Sequence, residues 1–269
     1  MGPRIGMIAG SGELPLLALE EAAERGWTCF VAGVSGEASP ALEGKTGAFM
    51  WLDPGRPDEA VRFFKDRGVD DILLAGKVDP GAYFRRAERE RGTGDWLREA
   101  SDGTPTGLIR AFMRFLDERG LRVMDPEPFL APLFCPEGVL TVEQPSAGVL
   151  QDAEFGWDVA RKTADLDIGQ TVVVKDRAVV AVEAAEGTDA AIRRAAALAG
   201  PGTVAVKVSR TLQDLRVDVP GVGLNTVRTL VESRASGLCL EAGRVVFFQR
   251  RAAVELADAE GLVIFGRGA

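Results

Sequence analysis

Carboxylates gather at two places in the second half of this chain where an apolar run gives way to a helical pattern. Glu183, Glu186 and Asp189 lie in Val182-Glu183-Ala184-Ala185-Glu186-Gly187-Thr188-Asp189, and Asp218 lies in Arg216-Val217-Asp218-Val219-Pro220-Gly221-Val222-Gly223. Acids at such turns can hold Mg2+ directly or through water, while helix N-terminal amides favour an anion. Lys207, Arg210 and Gln213 lie between the two junctions and could bring positive charge to a pyrophosphate. The chemistry open to this set is phosphoryl transfer with Mg2+. One carboxylate orients or deprotonates the attacking water, and the metal and cations neutralise the phosphates.

The chain has no histidine. That removes Ser-His-Asp triads, Cys-His pairs and His-rich dimetal sites, and leaves carboxylates, lysine or a hard metal ion for work near neutral pH. Mg2+ prefers oxygen ligands and needs no histidine. Plainer readings stand beside this one. Thr188 or Asp189 can serve only as a helix cap, and Lys207, Arg210 and Gln213 can lie on a solvated surface loop. Asp218 is expected at a strand end, where an acid is costly unless paired or metal-bound. Arg216, two residues back on the same face, would sit roughly 7 Å away and does not fully account for it.

A third junction, Ile8-Ala9-Gly10-Ser11-Gly12-Glu13-Leu14-Pro15, lies near the start. Glycines there admit close approach of a ligand to backbone N–H groups ahead of a helix, which suits a nucleotide phosphate or a uridine ribose. A tight turn without a ligand fits equally. The spacing of Gly6, Gly10 and Gly12 matches neither the dinucleotide fingerprint nor a Walker A loop, which argues against a nicotinamide oxidoreductase.

The elements that must position these residues follow two grammars. In the first half, strands over 4–9, 27–34, 48–52 and 71–75 alternate with helices over 14–25, 57–67, from about Gly81, and from Pro105, capped by Thr104. This order implies a Rossmann-like parallel sheet covered on both faces. Pro126, Pro128, Pro132 and Pro136 then crowd one stretch. Proline continues neither a helix nor a central strand, so a linker is placed at residues 131–137, between a domain over 1–130 and a mixed α/β domain over 138–269 that carries the catalytic acids. In the second domain, strands at 171–175 and 178–183 meet at Asp176-Arg177 and precede a helix over 189–198. Strands at 237–240 and 244–248 meet at Ala242-Gly243 and precede a helix over 252–259. These look like two copies of one unit, an old duplication.

The 269 residues are 46% hydrophobic with a net charge of -8. That charge argues against a nucleic-acid partner but not against a small phosphorylated ligand. Apolar runs stay far short of the roughly 18 residues of a membrane span, and Met1-Gly2-Pro3-Arg4-Ile5 lacks the layout of a signal peptide. A soluble cytoplasmic protein is expected. Cys29, Cys135 and Cys239 are widely spaced and read as buried, inert thiols.

The segments Gly6-Met-Ile-Ala-Gly-Ser-Gly-Glu-Leu-Pro15, Leu74-Ala-Gly-Lys-Val78, Leu166-Asp-Ile-Gly-Gln170, Ala181-Val-Glu-Ala-Ala-Glu-Gly-Thr-Asp189 and Arg216-Val-Asp-Val-Pro220 resemble, in order and spacing, the LpxI-type UDP-2,3-diacylglucosamine pyrophosphatases. The resemblance runs from about residue 4 to 266. It implies a lipid A pathway enzyme that uses Mg2+ to split its nucleotide-sugar lipid into UMP and 2,3-diacylglucosamine 1-phosphate. It also implies a homodimer that holds substrate between its two domains and touches the inner-membrane surface transiently. The family's essential aspartate maps onto Asp218. Glu186 and Asp189 are carried over as further catalytic acids, with Asp218 and Asp189 as the metal ligands. Substrate contacts are expected from Gly10, Ser11, Gly12, Lys77, Asp167, Gln170, Gly187, Thr188, Lys207, Arg210 and Gln213. One segment departs from the family pattern: an Asp-Asp pair is replaced in Ser101-Asp102-Gly103-Thr104-Pro105. Arg85, Arg86, Arg89 and Arg91 can face anionic lipid headgroups or simply solvent. The competing reading is a nucleotide-sugar sensor without catalysis.

Overall fold

In the computed structural model, residues 2–78 and 105–268 are described, in two units: 1–130 with Leu215–Asp218, and 131–214 with 219–269. The helix expected from Gly81, the arginines at 85, 86, 89 and 91, and Ser101–Thr104 lie outside the described residues.

The first unit is built on strands β1 (Arg4–Ala9), β2 (Thr28–Val34), β3 (Ala48–Leu52), β4 (Asp71–Ala75) and β5 (Arg122–Val123). They form one parallel sheet in the order β3-β2-β1-β4-β5. Near-continuous apolar strands such as Ile5–Ala9 are what a sheet buried on both faces demands. Helix α1 (Leu14–Glu24) packs on β2 and β4. Helices α2 (Pro57–Lys65) and α3 (Pro105–Asp117) bury Phe64, Leu108, Phe115 and Leu116 in a core with Ile8, Ala32 and Ile72. Proline opens α2 as expected, where its missing N–H costs nothing. The strand order reverses between β1 and β4, the switch point where open α/β sheets bind ligands at their carboxyl edge.

The proline-crowded stretch is more ordered than a linker need be. It forms a short helix α4 (Glu127–Leu130) and a 3-10 turn over Ala131–Leu133, with Phe129 and Leu130 buried.

In the second unit, β6 (Gly138–Val139), β7 (Thr171–Lys175), β8 (Ala178–Val182), β9 (Val204–Lys207), β11 (Gly237–Glu241) and β13 (Val263–Arg267) make a mixed sheet in the order β6-β13-β11-β9-β7-β8. The strand pairs β9/β11 and β11/β13 are parallel, and the other pairs are antiparallel. The hairpin turn at Asp176-Arg177 has both residues at positive φ, 52° and 58°, the twist that a two-residue hairpin requires. The buried Asp152 carboxylate accepts both turn amides, at 3.1 and 2.6 Å. Helix α5 (Ala147–Asp165) covers one face through Val149, Ala153, Trp157 and Ala160. Helices α6 (Thr188–Ala199), α7 (Leu224–Glu232) and α8 (Arg250–Glu260) contribute Ile192, Leu230 and Ala253 to the core of the other face.

The expected duplication is not there. β7 and β8 form a true hairpin, whereas β12 (Val246–Phe247) leaves the main sheet and pairs in parallel with β10 (Gly221–Val222). Competing pairing diverts it: Cys135 N–H donates to the Val245 carbonyl at 2.8 Å, and Gly243 N–H donates to the Cys135 carbonyl at 2.9 Å. The expected strand end at Asp218 is also revised. Leu215–Val217 is a turn, and the next strand begins only at Gly221. All three cysteines are buried and free, and burial pushes each thiol up to about 12, so they are inert at neutral pH. Among the described residues no helix is long and apolar enough to cross a membrane.

Candidate active site

The glycine-rich junction after β1 lies at the switch point, yet its first amides are already used. Gly10 N–H donates to the Ala75 carbonyl at 2.8 Å, Ser11 N–H donates to the Lys77 carbonyl at 2.7 Å, and Lys77 N–H returns a bond to Ser11 at 2.9 Å. The Ser11 hydroxyl also donates to the Lys77 carbonyl, at 2.9 Å. The loops that follow β1 and β4 are thus zipped together, which brings Gly10, Ser11 and Lys77 into one corner. Gly10 is needed for this: a Cβ there would lie 2.3 Å from the Lys77 carbonyl oxygen. The Gly10 and Ser11 amides are thus taken up by the neighbouring loop, while Gly12, the Ser11 side chain and the exposed Lys77 side chain stand at the carboxyl edge. Gly10→Ala is expected to cost ~1–3 kcal/mol, as overpacking does. An unchanged denaturation midpoint would show that the two loops part freely.

In the second unit the acids sort themselves by burial. Glu183 follows β8 and is largely buried, while Glu186 is exposed. Lys207, 5% exposed at the end of β9, donates to Thr171 Oγ1 at 3.0 Å, Thr188 Oγ1 at 2.9 Å and Glu183 Oε2 at 3.4 Å. The Thr188 hydroxyl in turn donates to Glu183 Oε1 at 2.7 Å. An ammonium has three N–H donors, and all three are spent on the protein. Lys207 is thus neither a solvated loop residue nor free to meet a phosphate: it backs Thr188. Burial would raise the Glu183 pKa, but the Lys207 charge and hydrogen bonds from Thr171, Thr188 and Lys207 outweigh it, leaving the carboxyl below its usual range. Gly169 lets the preceding loop reach this corner, since a Cβ there would sit 2.0 Å from the Glu183 carbonyl oxygen.

Glu186 makes a surface ion pair with Arg194 at 2.6 Å and accepts the Ala184 amide at 3.1 Å. A hydrogen bond from its own backbone amide, then the Arg194 and Ala184 bonds, hold its pKa below the usual range. Asp189 Oδ1 accepts the Thr226 hydroxyl at 2.8 Å, tying α6 to α7. Neither Thr188 nor Asp189 is the helix cap. Gly187 takes that position, with φ 82° and no side-chain cap. The first turn of α6 therefore presents its amides beside the Thr188 hydroxyl, an arrangement that suits an anion.

The remaining candidates are placed as follows. Asp167, at φ 59°, receives a short bond from an Arg210 terminal nitrogen, and Gln213 Oε1 accepts the Arg210 amide at 3.1 Å. The Gln170 carbonyl accepts Val208 N–H at 3.0 Å. Asp218 is half-buried in Leu215–Asp218, which groups with the first unit. Spacing alone did not single out Glu183 from Glu186. It also missed Thr171, which lies directly across from Lys207 in the β7/β9 register.

Mg2+ keeps several waters and takes one or two carboxylates plus substrate phosphates. Asp189 in the second unit and Asp218 in the first are each half-buried carboxylates, oxygen donors of the kind that Mg2+ takes. Among the described residues no group of three or more acids or cysteines forms a metal cage.

Comparison with known proteins bears on both halves. Residues 4–133 match the LpxI N-terminal domain and residues 136–265 match the LpxI C-terminal domain. The chain is similar to UDP-2,3-diacylglucosamine pyrophosphatase LpxI of Caulobacter vibrioides, with 29% identity over 273 residues covering 98% of this chain and 97% of that protein. Among solved structures it is similar to N5-carboxyaminoimidazole ribonucleotide synthetase from Thermotoga maritima, at 15% identity and TM-score 0.29, covering 65% of this chain and 34% of that one. It is also similar to phosphoribosylglycinamide synthetase from Anaerococcus prevotii, at 13% identity and TM-score 0.26, covering 69% of this chain and 40% of that one. Spanning less than half of either synthetase, at such scores, the chain shares nothing with them from which its function follows.

Proposed function

The chain belongs to the LpxI family, and from that premise we propose that it hydrolyses the pyrophosphate of UDP-2,3-diacylglucosamine to UMP and 2,3-diacylglucosamine 1-phosphate in lipid A biosynthesis. The observation that carries this reading is the near end-to-end match, through both domains, to a protein of that named activity. Asp218 is the acid proposed to act on the attacking water or its metal. Arg210 and Gln213 are proposed to face the pyrophosphate, with the first-turn backbone amides of α6 as neutral donors to a phosphate oxygen. Gly12, Ser11 and Lys77 are the proposed contacts for the UMP part.

Mg2+ is the proposed cofactor, held by Asp218 and Asp189. When bound it would neutralise charge building on the phosphate oxygens. A homodimer, cytoplasmic residence and transient contact with the inner-membrane surface accompany this reading as proposals.

The test is direct. The protein is incubated with UDP-2,3-diacylglucosamine in detergent micelles, and UMP is followed by chromatography. UMP release is expected with Mg2+, loss of release with EDTA, and recovery when Mg2+ is restored. Substrate retained intact by the protein, with no UMP formed, would favour a nucleotide-sugar sensor instead.

A further inference from the structure

Glu241 ends β11, is 2% exposed, and pairs with Arg161 of α5 inside the second unit. Burying such a pair is costly, and apolar residues of similar volume often hold a fold as well or better. Its bonds show what it holds. Glu241 Oε2 accepts both the amide and the hydroxyl of Ser209, each at 2.7 Å. Its Oε1 accepts from Arg161 of α5 at 2.5 Å, and a second Arg161 nitrogen donates to the Ser209 carbonyl, also at 2.5 Å. Ser209 is thereby gripped at its amide, hydroxyl and carbonyl by one ion pair.

Ser209 is the root of the segment that carries the pyrophosphate-facing residues. The next two residues are tied to the end of α5 and the loop after it: Arg210 to the Asp167 carboxylate, and Thr211 to Asp165 through its amide at 2.7 Å and its hydroxyl at 2.8 Å. The backbone bond from Thr211, with its hydroxyl, holds the exposed Asp165 carboxyl below its usual range. One atom in this otherwise satisfied set has no acceptor. Arg210 Nε is buried without a hydrogen-bond partner, a donor whose desolvation is costly until an acceptor arrives.

We infer that Arg161 and Glu241 are positioning residues that fix the root of the Ser209–Gln213 segment and so set the Arg210 guanidinium for an anionic oxygen of the substrate. The inference rests on the pyrophosphatase reading for the identity of that anion, but the anchoring can be measured without turnover.

The key variant is Arg161→Met with Glu241→Leu, which removes both charges together. Its melting temperature is expected to stay within a few degrees of the parent, because no buried charge is left alone. Its kcat is expected to fall at least about tenfold, and amide exchange over Ser209–Gln213 to rise about tenfold or more. Glu241→Gln, which keeps an acceptor for Ser209, should recover part of both losses. A folded double variant with parental kcat and parental exchange would overturn the inference. If the double variant does not fold, parental kcat and exchange in Glu241→Gln would do the same. Absence of UMP release by the parent would count against the pyrophosphatase reading, while the exchange data would still decide whether the pair anchors the segment.

Discussion

Asp218→Asn is expected to lower turnover of UDP-2,3-diacylglucosamine by roughly 10²–10⁴-fold, the contribution of a positioned acid or base, while the substrate still binds. The substitution keeps the size of the side chain and one carbonyl oxygen. It removes the negative charge and the basic lone pair, so it separates chemistry from shape. Asp218 is half-buried on irregular backbone, following the Leu215–Val217 turn and ahead of the strand that leads into α7. Because the substitution is nearly isosteric, the variant should fold with a melting temperature near that of the parent. Binding of intact substrate to the variant, measured by co-sedimentation with labelled lipid, is the second readout. Parental turnover would show that the acid lies elsewhere. Equal loss of turnover and of binding would move Asp218 from the reaction to substrate recognition.

Some of this was legible in the residues themselves. Runs such as Ile5–Ala9 and Thr171–Lys175, bounded by glycines or charges, place strands almost to the residue because a strand buried on both faces leaves few alternatives. The sheet that those strands join is harder to read. Arg244–Phe248 has the pattern of a hairpin partner, but its pairing is decided by Cys135 and Pro220, distant in sequence. Helix α5 was missed because Gly148 and Gly156 lower its helical propensity. Gly156 is present for packing: a Cβ there would come within 2.9 Å of Val174 and Val206.

The candidate site divides along the same line. That Glu183, Glu186 and Asp189 crowd a strand-to-helix junction is a local fact, visible in order. Which acid is buried is not local. Glu183 is chosen because Lys207 and Thr171 arrive from β9 and β7 to meet it, while Glu186 turns outward to Arg194. Lys207 looked like a loop residue because β9 is only four residues long, and nothing in its neighbours marks it as a strand inside a sheet.

That buried pair carries the largest expected effect on stability. Lys207→Met is expected to destabilise the protein by about 3–5 kcal/mol at neutral pH, the usual consequence of leaving one member of a buried pair unpaired. Both side chains are close to fully buried, so solvent screening gives little relief. The pH dependence should reverse as well. In the parent, Glu183 has a lowered pKa, so its contribution is present above the unfolded carboxylate value of about 4.3 and is lost as pH falls through the folded value. Without Lys207, the strongest influence holding that pKa down is gone and burial remains, which raises it. A raised acid stabilises the fold below the unfolded value and loses that contribution as pH climbs. The gap between variant and parent should therefore narrow as pH is lowered toward 4, and urea denaturation at several pH values measures it. Adding Glu183→Gln to Lys207→Met should restore much of the stability, because no charge is left buried, without restoring turnover if Thr188 needs Lys207 behind it. A stability gap that stays constant with pH would mean that the Glu183 carboxylate is not what the ammonium compensates, and Lys207 would then act on Thr188 and Thr171 alone.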